Sequence, residues 1–253
     1  MKKVSAKIMV MVFSSLLVMS NLKAQETSPV IPSGNKAEPG IQFDLYADFV
    51  SQYVWRGLQL HPEVNIQPGL IMSHKNLSLG VWTSAALASP FTEADLSLSY
   101  GFPAFTVRIT DYYAVNHSFI IPKEYFNYSN RMESLTDHAF EISVVINDIA
   151  GIPLNITAAT FFYGNDKDES GKNLYSSYLE AAYKHEWQDY DLALFIGGSV
   201  NEGYYAEKAA VTNVGGSLKK EVSLNHSCKI VLSSGLVYNP NRDKLFFIFG
   251  FGI

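Results

Sequence analysis

The 253-residue chain carries 47% apolar and 13% aromatic side chains but only 17% charged ones, which excludes a disordered polymer and suffices for one large domain. Nineteen Lys and Arg against 24 Asp and Glu give a formal charge of −5, so the cationic face that displaces counterions from a duplex is missing and no nucleic acid is expected as partner. A single cysteine, Cys228, excludes an intrachain disulfide framework and a cysteine-cluster zinc site; no metal and no other cofactor is expected.

At the N-terminus, Lys2, Lys3 and Lys7 precede an apolar stretch from Ile8 to Met19 and the sequence Leu22-Lys23-Ala24. This is the pattern of a secretory signal peptide over residues 1–24. The apolar run is shorter than the ~20 residues that a membrane-crossing helix needs. Removing it takes four lysines and no acid, leaving 15 basic and 24 acidic side chains, an acidic exported product. Residues 25–40, rich in Pro, Ser and Gly, read as a flexible leader, and residues 41–253 as one β-barrel domain.

From residue 41 onward the apolar residues recur at every second position, the period of a strand. Ile41, Phe43, Leu45, Ala47 and Phe49 share one face against Gln42, Asp44, Tyr46 and Asp48. The same alternation returns at Leu77–Ala85, Ala94–Phe102, Phe105–Ile109, Phe140–Ile146, Leu154–Phe162, Leu192–Val200 and Leu245–Ile253, with weaker runs near 64–73, 174–185, 210–220 and 228–238. The sum is about twelve strands, each near the ~9–11 residues with which a tilted strand crosses a bilayer. Connectors at 56–63, 88–93, 114–137, 164–173, 201–209 and 239–243 tend to be longer than those at 74–76, 101–104, 147–152, 186–189 and 221–227. Long loops on one side and short turns on the other are the asymmetry of an outer-membrane barrel.

The polar face decides between a soluble and a membrane barrel. A soluble sandwich puts Lys and Glu outside, whereas Ser78, Ser84, Ser97, Ser99, Thr106, Thr110, Ser143, Thr157, Ser199 and Ser217 suit a crowded, wet lumen. Aromatics near strand ends, among them Tyr53, Trp55, Tyr100, Phe102, Tyr112, Tyr113, Phe161, Phe162, Tyr163, Trp187, Tyr190 and Tyr238, match the girdles of the two membrane interfaces. The expected fold is therefore all-β, an antiparallel up-and-down transmembrane β-barrel of about twelve strands. By phase, the lumen-facing selectivity candidates are Asp44, Asp48, Arg56, Asp95, Arg108, Glu141, Glu180, Lys184 and Lys219, a mixture of both signs. Arg56 has two readings, a mouth residue that pairs with an acid or a turn-closing Arg before Gly57.

No histidine has a serine at the second following position, the spacing that puts both on one strand face, and no catalytic residues are assigned. The Asp166-Lys167-Asp168-Glu169 run reads as a solvated acidic loop in preference to a calcium site. The long segment 114–137, with Phe119, Ile120, Ile121, Tyr125, Phe126 and Tyr128, is apolar enough to be expected as a lid or gate over the mouth.

The stretch from Ala47 to Leu58 contains Ser51, Tyr53, Val54, Trp55, Arg56 and Gly57, followed by Pro68-Gly69-Leu70, Ser73-His74 and Gly80-Val81-Trp82. It resembles the opening of the TorF-like family of bacterial porins, whose first strand ends in Ser-x-Tyr-Val-aromatic-Arg-Gly. The resemblance covers the first third of the exported chain and implies a barrel in the outer membrane of a Gram-negative bacterium. Such barrels commonly end on an aromatic residue read by the assembly machinery; here the chain ends Phe251-Gly252-Ile253. The expected function is passive diffusion of small hydrophilic solutes, without enzyme activity. The expected partners are outer-membrane lipids, the barrel-assembly machinery with periplasmic chaperones, and the solute itself. Two alternatives stay open: a non-conducting barrel that acts through its loops, and a secreted soluble β-barrel that binds a small ligand.

Overall fold

The computed structural model describes residues 40–116, 125–132, 135–225 and 228–253; the signal-peptide and leader readings lie outside them. Among the described residues fourteen strands follow in chain order: β1 (Gln42–Val50), β2 (Tyr53–Trp55), β3 (Leu58–His61), β4 (Asn65–His74), β5 (Leu77–Ala86), β6 (Phe91–Gly101), β7 (Phe105–Asn116), β8 (His138–Ile146), β9 (Leu154–Gly164), β10 (Ser177–Trp187), β11 (Tyr190–Ser199), β12 (Ala210–Asn225), β13 (Cys228–Asn239) and β14 (Lys244–Gly252). Twelve of them close an antiparallel barrel in which neighbours in sequence are neighbours in space and β1 meets β14. The remaining two, β2 and β3, pair only with each other.

Period-two patterning sets which face of each barrel strand is wet. The apolar members point outward: Phe43, Leu45, Leu79, Val81, Leu96, Leu98, Ile109, Ile142, Leu179, Leu194, Ile196, Leu232, Leu236, Phe247 and Phe249 are all exposed. The alternate residues, Ser78, Ser84, Ser99, Thr106, Arg108, Thr110, Glu141 and Ser143, are buried. A soluble barrel has the opposite polarity, so the secreted soluble reading fails on this exterior. Closure pairs the wall strands around the whole ring, which is the condition for spanning lipid without stranded backbone polar groups.

Two connections differ from the period-two reading. Residues 221–225 belong to a strand and not to a turn: β12 runs on for 16 residues to Asn225, which pairs with Cys228 of β13. The first strand is shorter than the alternation suggests, because the chain leaves the wall after Val50. Ser51 marks the departure. Its N–H donates to the Phe249 carbonyl at 2.8 Å, and its hydroxyl accepts from the Phe249 N–H at 3.0 Å. One residue on, the Gln52 amide donates to the Phe247 carbonyl at 2.7 Å. These bonds extend the β1–β14 seam past its last ladder pair, Val50 with Gly250, while the main chain turns inward.

Candidate functional site in the barrel lumen

The inward turn produces a hairpin that folds into the barrel from the long-loop end. Trp55 and Leu58 are directly paired, so Arg56 and Gly57 form a two-residue turn. Both have positive φ, 50° and 79°, the geometry of the turn whose twist matches paired strands. Gly57 is required twice over. Its φ favours glycine, and a Cβ there would stand 1.7 Å from the Thr212 carbonyl oxygen on β12. The tip is tied to that wall: the Thr212 hydroxyl donates to the Arg56 carbonyl at 3.3 Å, and the Asn239 amide donates to the Gly57 carbonyl at 2.9 Å. At the other end His61 closes the segment through a 2.7 Å contact with the Ser89 hydroxyl.

This docking makes Gly57 the residue whose replacement most cleanly unseats the hairpin. Alanine in a left-handed conformation costs about 1–2 kcal/mol before any overlap with Thr212 is counted. Gly57→Ala is therefore expected to expose the peptide bond that follows Arg56 to trypsin added outside the barrel, whereas the native protein resists cleavage there; fragment masses read the result.

The hairpin carries an apolar core into the lumen. Tyr53, Trp55 and Leu58 are buried together with Phe91, Ala159, Phe161, Tyr178 and Tyr205, and Trp82 and Tyr112 pack against them. Tyr53, Trp55, Tyr112 and Phe161 are thus not girdle residues: the first two ride the hairpin inward, and the others occupy the inward phase of β7 and β9. Tyr100, Phe102, Phe162, Trp187 and Tyr238 remain on the outside.

Arg56 sits at the centre. Its two terminal nitrogens fork onto the Glu141 carboxylate, Nη1 to Oε2 and Nη2 to Oε1, the latter at 3.0 Å. Nη1 also donates to the Tyr205 hydroxyl. The guanidinium carbon lies 4.4 Å from the Trp55 ring centroid, 4.6 Å from Tyr178 and 5.6 Å from Tyr205. Glu141 is 2% exposed and also accepts from the Tyr112 hydroxyl at 3.2 Å. Beside the box, Glu180 accepts from the Tyr178 hydroxyl at 2.5 Å and from the Asn213 amide at 2.8 Å. Tyr204, next to Tyr205 on the 200–209 loop, sets its ring edge-on to Trp55 and Phe161 while its surface remains exposed.

Beyond the hairpin lies a chamber of about 280 Å³. Its walls include Asp48, Arg108, Glu141, Glu180, Lys184 and Lys219, with Arg56 at the hairpin end and Asn147 in the turn after β8. Asp95 and Arg108 border a separate space of about 40 Å³ lined by β1 and by β4 to β7. Asp44, near the start of β1, is exposed and lines neither space. The structure thus brings eight of the nine phase-derived candidates to the interior, with Arg56 there by a hairpin and not by continuing the phase of β1. Phase flagged Glu141 and Glu180, but nothing in the Glu202-Gly203-Tyr204-Tyr205 loop marked Tyr205 as the partner of an arginine 149 residues away.

The described part of the 114–137 segment does not cover the mouth; Phe119, Ile120 and Ile121 lie outside the described residues. Asp111, Tyr113, His138 and Phe140 share the outward phase of β7 and β8, and the loop packs on them. The Tyr125 carbonyl meets His138 Nε2 at 2.6 Å, the Tyr163 hydroxyl donates to the Tyr128 carbonyl at 2.6 Å, and the Tyr128 ring lies over His138 and Phe140. His138 Nδ1 faces Asp111 Oδ1 at 2.7 Å, so both ring nitrogens are engaged in holding loop to wall. In the acidic loop, Asp166 accepts from the Ser176 N–H and hydroxyl at 2.8 and 2.5 Å. Asp168 accepts from Ser170 and from the Lys172 N–H, bonds that hold its carboxyl below the usual range. Among the described residues no group of three acids, histidines or cysteines is placed to hold a metal ion.

Fold and site together define a lipid-facing barrel of twelve strands whose lumen is polar and whose outer half is filled by its own first loop. The chain matches no protein-family model and no curated protein. Among solved structures it is similar to a triple-mutant porin of Rhodopseudomonas blastica, at 9% sequence identity and a TM-score of 0.38, over 85% of this chain and 99% of that one.

Proposed function

We propose that the protein is an outer-membrane, porin-like channel, similar to the TorF-like porins, that passes small hydrophilic solutes through a lumen narrowed by the β2–β3 hairpin. The observation that carries this reading is the reversal of polarity across the wall: exposed Leu and Phe outside, buried Ser, Thr, Asp, Glu and Arg inside, with half-buried Lys184 and Lys219 in the chamber wall. Rings of fixed charge govern which ions enter such a pore. Here the acids Glu93, Asp95, Glu141 and Glu180 gather around the hairpin, and Arg108, Lys184 and Lys219 line the chambers beyond it. The lumen therefore has no single sign along its length, and selectivity is assigned to the hairpin level, where Tyr53, Trp55 and Leu58 pack into the lumen. Export through the 1–24 signal peptide and insertion by the barrel-assembly machinery belong to the same reading.

Proteoliposomes carrying the purified barrel are expected to swell in a small polyol faster than protein-free vesicles, and to discriminate against disaccharides. The packed core around Trp55 and Tyr205 favours a second reading, a non-conducting barrel that acts through its loops. Vesicles that swell no faster than empty ones with any solute, from protein that keeps heat-modifiable gel mobility, would select it.

A further inference from the structure

The surroundings of Arg56 form a cation receptor that the protein fills with its own side chain. Apart from Trp55, the box comes from outside the hairpin: Glu141 from β8, Tyr112 from β7, Tyr178 and Glu180 from β10, and Tyr205 from the 200–209 loop. Glu141 offers both oxygens in the fork geometry that matches a guanidinium. Tyr178 and Tyr205 supply ring faces, whose negative quadrupoles attract a cation. These wall groups are braced independently of the hairpin, since Tyr112 donates to Glu141 and Asn213 holds both the Tyr178 hydroxyl and Glu180.

The occupant is held differently. β2 and β3 pair only with each other, in a ladder of three registered pairs, and join the wall through the tip and flank contacts already described. A two-stranded hairpin is marginal by itself in water. Its seat therefore depends on Arg56 and the apolar core, and the barrel ladder stays whole when it leaves. A box of fixed carboxylate and ring faces with a displaceable tethered cation is a binding site in competition with its own ligand.

We propose that this box is the solute-recognition site of the lumen, selecting organic cations that carry a guanidinium or primary ammonium group, with Arg56 as the intramolecular occupant such a solute displaces. The inference rests on the reading of the lumen as a solute path. Its test is a binding measurement in detergent, so it can fail while vesicle swelling succeeds, and the reverse.

The probe is methylguanidinium chloride, titrated calorimetrically into detergent-solubilised native protein, Arg56→Ala and Arg56→Gln, with matched sodium chloride and urea as controls. Heat-modifiable gel mobility confirms that each variant is folded, and Arg56→Gln keeps a long side chain at the tip should the alanine variant not assemble. A tethered competitor at millimolar effective concentration masks a weak site. Both variants should therefore bind the probe at least about tenfold more tightly than the native protein. Binding should vanish when Glu141→Gln is added, and urea and sodium should give none. The proposal is overturned if folded Arg56→Ala and Arg56→Gln bind no methylguanidinium, if the native protein binds it equally well, or if the Glu141→Gln double variants retain it.

Discussion

Replacing residues 53–60 by a short Gly-Ser linker is expected to raise single-channel conductance severalfold and to let disaccharides through a pore that otherwise retards them. The replaced residues take no part in the barrel ladder, so the twelve-stranded wall should assemble without them. They do contribute Tyr53, Trp55 and Leu58 to the cluster that fills the outer half of the lumen. Barrel diameter grows with strand number, and twelve strands stand between the side-chain-filled interior of ~8 and the open pore of ~16, so an unfilled lumen of this size should conduct. Arg56→Ala should give part of the same increase, at a cost: removing one partner of a buried pair leaves Glu141 uncompensated, worth about 3–5 kcal/mol. Planar-bilayer recordings on the linker variant and Arg56→Ala, compared with native protein, check this. Conductance that does not change with the linker would mean that the hairpin lies outside the conducting path.

The second large effect concerns the outer surface. Leu96, in the middle of β6, is exposed on the apolar exterior, and Thr157 on β9 faces the chamber. An arginine on the lipid face at mid-depth of such a barrel costs about 2–4 kcal/mol. Leu96→Arg should therefore lower the yield of folded, heat-modifiable protein in lipid vesicles and reduce the unfolding free energy read from urea titration by that amount, with a lower midpoint. Thr157→Lys places a comparable charge in water and should leave both nearly unchanged. Equal losses for the two variants would remove the distinction between the faces.

How far the sequence foretells this architecture depends on which period is being read. The strand phase was legible because each wall strand meets a uniform environment on each side, so Leu77-Leu79-Val81 or Phe247-Phe249-Phe251 state their orientation by spacing alone. The phase also carried Glu141 and Glu180 to the inside. The hairpin was hidden by the same rule. Tyr53 and Trp55 continue the alternation of Phe43, Leu45 and Phe49, so a period-two reading keeps them in the wall as interface aromatics. The physical signal lay in the two residues after them, because Arg56-Gly57 between apolar neighbours can form a tight turn with positive φ, which converts a strand end into a hairpin. Ser51 was visible only as part of a family-like motif; its role at the β1–β14 seam depends on a strand almost 200 residues later. Tyr205 in its loop and Thr212 on β12 could not be found in this way, since contacts with an inserted hairpin have no period. Of the gate expected at 114–137, the described Tyr125 and Tyr128 pack against His138 and Phe140 on the outward phase of β8, a placement that composition alone does not reveal, while Phe119, Ile120 and Ile121 lie outside the described residues.

The orientation of the two faces is tested most directly by single-cysteine spin labels at positions 155, 156, 157 and 158 of β9, in a Cys228→Ser background reconstituted in lipid. Labels at 156 and 158 should relax faster with oxygen, which concentrates in the hydrocarbon, and those at 155 and 157 with a water-soluble nickel chelate. An inverted alternation, or four positions that respond alike, would contradict a wall with lipid outside and solvent within.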